Sequence, residues 1–225
     1  MRTVTAQGRW VWRISGLVTA ALIAVPGIHL LTSAGVSSQP GQPQSAPGAV
    51  TRTMTVSQPV TSLTVQSYGA PVQVTGGPVS HVRVTETIGT DPGGGTPPVA
   101  ATVSGDNLIV GSPECGSWED CVSFEVTVPR DMTVNVASQS GQVAVSGVAG
   151  VNLDSGGGSM NVSGIDGPVT VTAEGGSVQL ADVAGPVQVD TGGGSLLASG
   201  ITAATATVTS DGGPTLLTVD LPCVR

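Results

Sequence analysis

An all-β fold, and more narrowly a β-solenoid with about 18 residues per coil in the C-terminal half, is what this sequence predicts. Three observations carry the prediction. Apolar and polar residues alternate along short runs, as they do in strands with one buried face. Glycine-rich corners separate the runs at a fixed spacing. Aromatics make up only 2% of the chain while 33 of 225 residues are glycine, which suits a thin, regular β-structure rather than a thick globular core.

The regular part begins at Gln142. Apolar i, i+2 pairs occur at Val143/Val145, Val151/Leu153, Met160/Val162, Val169/Val171, Val178/Leu180, Val187/Val189 and Leu196/Ala198. The first step between pairs is 8 residues and every later one is 9. Two kinds of corner alternate. One is Ser155-Gly-Gly-Gly-Ser159 with its equivalents at 173–177 and 191–195, and the other is Gly164-Ile-Asp-Gly-Pro168 with its equivalent at 182–186. The unit is therefore two strands. A third apolar position recurs inside the second corner, at Val148, Ile165, Val183 and Ile201, so each coil offers five inward residues and stacking sets like on like. After Ala198 the spacing slips, and residues 202–221 are expected to form a distorted closing coil that caps the open edge. Residues 50–130 alternate less regularly, at Met54/Val56, Leu63/Val65, Val72/Val74, Val82/Val84, Leu108/Val110 and Phe124/Val126/Val128. They are expected as irregular first coils of the same stack, with a separate small β-domain as the alternative.

Residues 1–36 are of another kind. Arg2, Arg9 and Arg13 precede an uncharged run from Ile14 to Val36 that is long enough, as a helix, to cross a bilayer. The basic flank places the N-terminus in the cytoplasm, and Trp10 and Trp12 suit the head-group belt. Two readings stay open: an uncleaved single-pass anchor in the cell membrane, or a signal peptide cleaved near Thr32-Ser33-Ala34 to release a secreted protein. Either sends the body out of the cytoplasm. Residues 37–49 form a Pro/Ser/Gln spacer, and residues 50–225 the β-repeat domain.

The segment Phe124-Glu-Val-Thr-Val-Pro-Arg-Asp-Met-Thr-Val134, followed by Ser140-Gly-Gln-Val143 and the coils, resembles the bacterial "putative adhesin" family of β-strand-repeat domains. The resemblance covers roughly residues 55–220 and implies a surface-exposed β-solenoid behind one membrane segment, as in membrane-tethered actinobacterial-type members. It implies no chemistry. The Gly-Gly-Ser corners and a cysteine-bounded loop depart from the family pattern.

The body carries four Arg against fifteen acids, which excludes nucleic-acid binding. Asp154-Ser-Gly and Asp190-Thr-Gly look like two halves of an aspartic-protease site. They lie two coils apart, about 9.6 Å at about 4.8 Å per coil, whereas a shared-proton dyad needs about 3 Å. The scattered Asp residues fit turns, and no coil has the calcium-binding nonapeptide pattern. His29 and His81 support neither a metal site nor a catalytic triad. No catalytic residue, metal ligand, cofactor or small-molecule substrate is expected.

The most distinctive segment is Cys115-Gly-Ser-Trp-Glu-Asp-Cys121. In an exported chain Cys115 and Cys121 are expected to form a disulfide, leaving Cys223 over. Trp118 either packs under its own loop or, with Glu119 and Asp120, contacts a protein or cell-surface partner. Two functions follow: a tethered surface-adhesion module, or an envelope scaffold or envelope-stress accessory that associates end to end through unpaired edges.

Overall fold

The computed structural model of the protein describes residues 28–31, 49–89, 100–111 and 122–220. They contain strands and connections and no helix. In the first half the strands are β1 (Ile28–Leu31), β2 (Ala49–Val56), β3 (Ser62–Ser67), β4 (Val72–Gly77), β5 (Val82–Gly89), β6 (Ala100–Ser104), β7 (Asn107–Gly111) and β8 (Val122–Pro129). The second half continues with β9 (Thr133–Ser138), β10 (Gln142–Ser146), β11 (Gly150–Ser155), β12 (Ser159–Ile165) and β13 (Val169–Ala173). The last strands are β14 (Ser177–Val183), β15 (Val187–Thr191), β16 (Ser195–Ile201), β17 (Ala206–Ser210) and β18 (Thr215–Val219).

They form two sheets. The larger runs β1-β2-β5-β8-β4-β10-β12-β14-β16-β18, and the smaller β17-β15-β13-β11-β9-β3-β7-β6. From β9 onward consecutive strands alternate between sheets, and from β11 onward each pairs in parallel with the strand two before it. Val151 lies opposite Val169 and Val169 opposite Val187; Met160 lies opposite Val178 and Val178 opposite Leu196. That register repeats at the 18-residue spacing of the sequence. All fourteen paired positions named above, and the corner residues Val148, Ile165, Val183 and Ile201, are at most 3% exposed.

The first half joins the same two sheets but not by simple repetition. β2, β5 and β8 form antiparallel pairs, β6 and β7 make an antiparallel hairpin, and β8 is inserted between β5 and β4. The inward alternation holds, and one hydrophobic cluster runs from Val56 to Ala203.

Two expectations need correction. Part of the apolar run 14–36, predicted helical, is extended: Ile28–Leu31 pair antiparallel with β2, covering a backbone edge that would otherwise stand open. Pro26 and Gly27 just before it are poor helix formers. The rest of that run lies outside the described residues, among which no helix is long and apolar enough to cross a membrane. Nor do residues 202–220 close the stack. β17 and β18 continue the parallel ladders by one more step, leaving Leu216 and Leu217 exposed and Ala206, Val208 and Val219 only half buried. Two more strands follow the ladders by repeating the same pairing, whereas a cap would need a segment folding across both edges.

One inward column is polar except at Ala173. Ser67, Ser138, Ser155, Ala173, Thr191 and Ser210 stand in register at the end of the smaller sheet, where the chain turns. The serine hydroxyls donate to corner carbonyls: Ser67 to Ala70 (2.9 Å), Ser138 to Ser140 (2.6 Å), Ser155 to Gly157 (2.6 Å). Thr191 Oγ1 is buried without a partner among the described residues. Ser155→Ala is therefore expected to lose about 1 kcal/mol, whereas Thr191→Val is neutral or stabilising because it removes an unpaired buried hydroxyl. Urea midpoints decide the matter, and a larger loss in Thr191→Val would reverse the assignment.

Candidate functional site

Cys115, Trp118, Glu119, Asp120 and Cys121 lie outside the described residues, as does Cys223. Residues 112–121 lead directly into Val122, the first residue of β8. β8 is an interior strand of the ten-stranded sheet, so this segment enters the sheet beside β5 and β4 rather than at an end.

Beside that entry the outer face of the larger sheet holds a shallow depression of about 240 Å³. Alternation fixes its lining. With Phe124 and Val126 buried, Ser123 and Glu125 must face outward, and the same parity turns out Gln73 on β4, Thr85 and Thr87 on β5, and Gln142 on β10. Register brings them together: Thr87 lies opposite Ser123, Thr85 opposite Glu125, and Gln73 opposite Glu125 on the other side. Ala144, opposite Gln73 on β10, is too short to fill the next place in the row, which leaves the hollow. The lining offers hydroxyl and amide groups around one carboxylate. It suits a polar, hydrogen-bonding ligand surface.

The two aspartates of the protease-like motifs do not meet. Asp154 and Asp190 are exposed and stand two strands apart on the smaller sheet with Thr172 between them, while Ser155 and Thr191 turn inward to the corner. His81 is exposed, its Nδ1 2.7 Å from the Ser80 carbonyl oxygen. No group of three potential metal ligands occurs among the described residues.

A scan against protein-family models finds no match, and neither does a search of curated proteins. Among solved structures, a "putative cell adhesion protein" from Clostridium sporogenes shares the fold. Its TM-score is 0.52 at 10% identity, covering 72% of this chain and 94% of that one. A "putative adhesin" from Parabacteroides merdae aligns over 78% of this chain and 93% of its own, at 15% identity and a TM-score of 0.32.

Sequence reasoning missed two features. Which outward residues gather into the depression depends on β8 lying between β5 and β4, which strand periodicity does not reveal. Glu86 was legible: it continues the inward series Val82, Val84, Glu86, Ile88. It is 3% exposed, lies opposite Arg52 on one side and Phe124 on the other, and its Oε1 has no partner among the described residues. Burial pushes its carboxyl up to about 7, against the pull of the Arg52 guanidinium.

Proposed function

We propose that this chain is a non-enzymatic adhesion module: a β-solenoid held outside the cytoplasm on its N-terminal segment and spacer, contacting a protein or glycan surface through the outer face of its larger sheet. The observation that carries the reading is the polar depression around Glu125, set beside the strand that the 112–121 segment enters. Two coarser facts support it. The fold is shared with a protein described as a "putative cell adhesion protein", and the parallel ladders repeat at the 18-residue spacing expected of stacked coils. A disulfide between Cys115 and Cys121 would hold Trp118, Glu119 and Asp120 at the rim and lower the ordering penalty on binding. A polar sheet face favours many weak contacts, the mode by which tethered surface proteins gain strength through avidity.

Attachment of the purified chain to cell-wall material and to host matrix tests the proposal. The Glu125→Ala/Gln73→Ala double variant and Trp118→Ala should each weaken attachment about ten-fold with unchanged melting temperature. Full attachment by both variants would move the contact elsewhere, and a chain that attaches to neither material would sink the adhesion reading.

A further inference from the structure

We infer that the C-terminal end of the two sheets joins a second copy of this chain, head to head, in a closed two-fold dimer. β17 and β18 are the last strands of their sheets. Val187 N–H donates to the Thr205 carbonyl and Leu196 N–H to the Pro214 carbonyl, each at 3.0 Å. In a parallel ladder every second residue bonds to the neighbouring strand and the others turn away. The amides and carbonyls of Ala206, Val208 and Ser210 on β17, and of Thr215, Leu217 and Val219 on β18, therefore point off the end. No strand pairs with them among the described residues.

The same residues carry the inward side chains. Leu217 is 36% exposed where Ala198, its partner one step back, is 1% exposed. Neither strand holds a charge, in a chain with fifteen acids. Short, charged or proline-bearing edges are the usual defences against pairing, and of these only shortness is present here.

The occupant must present two strand edges at once, about 10 Å apart and five residues long, with an apolar strip between them. A second copy's own end has that form. A two-fold axis along the sheet normal sets β17 antiparallel to its counterpart and β18 antiparallel to its counterpart. Val208 and Leu217, the middle residues of the two strands, face themselves across the axis, and both have outward-pointing amides. The pairing is isologous and uses up both ends, so it closes. The opposite end has a different form, since the antiparallel strands β1 and β6 make it.

Sedimentation equilibrium of the full chain in a neutral, density-matched detergent tests this. A dimer is expected. Leu217→Pro removes an outward N–H without touching the ladder to β16 and should raise Kd roughly thirty-fold, because the two-fold counts each lost bond twice. Leu217→Lys, which keeps that N–H and is less demanding of the backbone, should also raise Kd strongly by placing a charge at the edge. Circular dichroism verifies that both variants fold. A monomeric full chain, a mass that keeps growing with concentration, or a dimer indifferent to both variants would each overturn the inference. So would dimerisation only after truncation at Asp220, which would make residues 221–225 the cover.

Discussion

Gly176→Ala is expected to destabilise the protein by about 3–5 kcal/mol, while Gly193→Ala, in the next corner of the same kind, leaves stability within about 0.5 kcal/mol. Both are corner glycines, but Gly176 is the last glycine of its corner and Gly193 the middle one of the next, and their surroundings differ. Gly176 has φ +85°, where an L-residue is strained, and an added Cβ would fall on the Gly158 carbonyl oxygen. That oxygen already accepts the Ser177 N–H at 3.1 Å, so the two coils cannot part without losing a ladder bond. Gly158, Gly194 and Gly213 repeat the contact, each against the carbonyl of the corner before it. Around Gly193 nothing lies within 4 Å, and its φ is outside the left-handed region. There alanine meets open solvent and reduces the freedom of the unfolded chain, which offsets any small loss. Urea denaturation of both variants measures the difference, and equal losses would mean that the corner glycines serve flexibility rather than close stacking.

Glu86 is expected to make stability fall as pH rises from about 4.5 to about 7, and Glu86→Gln to abolish that fall. Its folded-state carboxyl titrates at about 7, against 4.5 for the free group. A group with a raised folded pKa contributes fully below the unfolded value and loses the contribution as pH passes through the folded one. Below about pH 4.5 Glu86 is protonated in both states and carries no penalty. Between about 4.5 and 7 the unfolded chain ionises first, and above pH 8 the accumulated loss reaches up to about 3 kcal/mol. Arg52 is the charged residue facing Glu86 in register, and its attraction limits the loss without cancelling the desolvation. The comparison is between urea midpoints at pH 5 and pH 8, in the native protein and in Glu86→Gln. An equal pH dependence in the two would show that Glu86 reaches water or a partner in solution.

Residues 50–56 and 82–128 illustrate how far alternation reaches. It assigns the inward face of each strand, because a one-residue slip would expose the whole apolar set of that strand to water. It does not order the strands. Antiparallel β2, β5 and β8 and the β6–β7 hairpin carry the same period-2 pattern as the parallel coils that follow, so the residues around Glu125 could not be grouped beforehand. Cys115, Trp118, Glu119, Asp120 and Cys121 lie outside the described residues and are known from sequence alone.

The C-terminal half was determined largely by the sequence itself. Its 18-residue repeat places Val, Leu, Ile and Met at like positions in successive parallel strands of each sheet, and burying those columns against one another satisfies every repeat in the same way. Tertiary structure decided what depends on contacts between non-equivalent segments. It inserted β8 between β4 and β5, placed Arg52 opposite the inward Glu86, set the corner glycines against neighbouring carbonyls, and left β17 and β18 as open edges instead of a cap. Periodicity records which face of a strand meets the core. Which strand lies beside which is settled by long-range pairing, and that leaves no local trace in the order of residues.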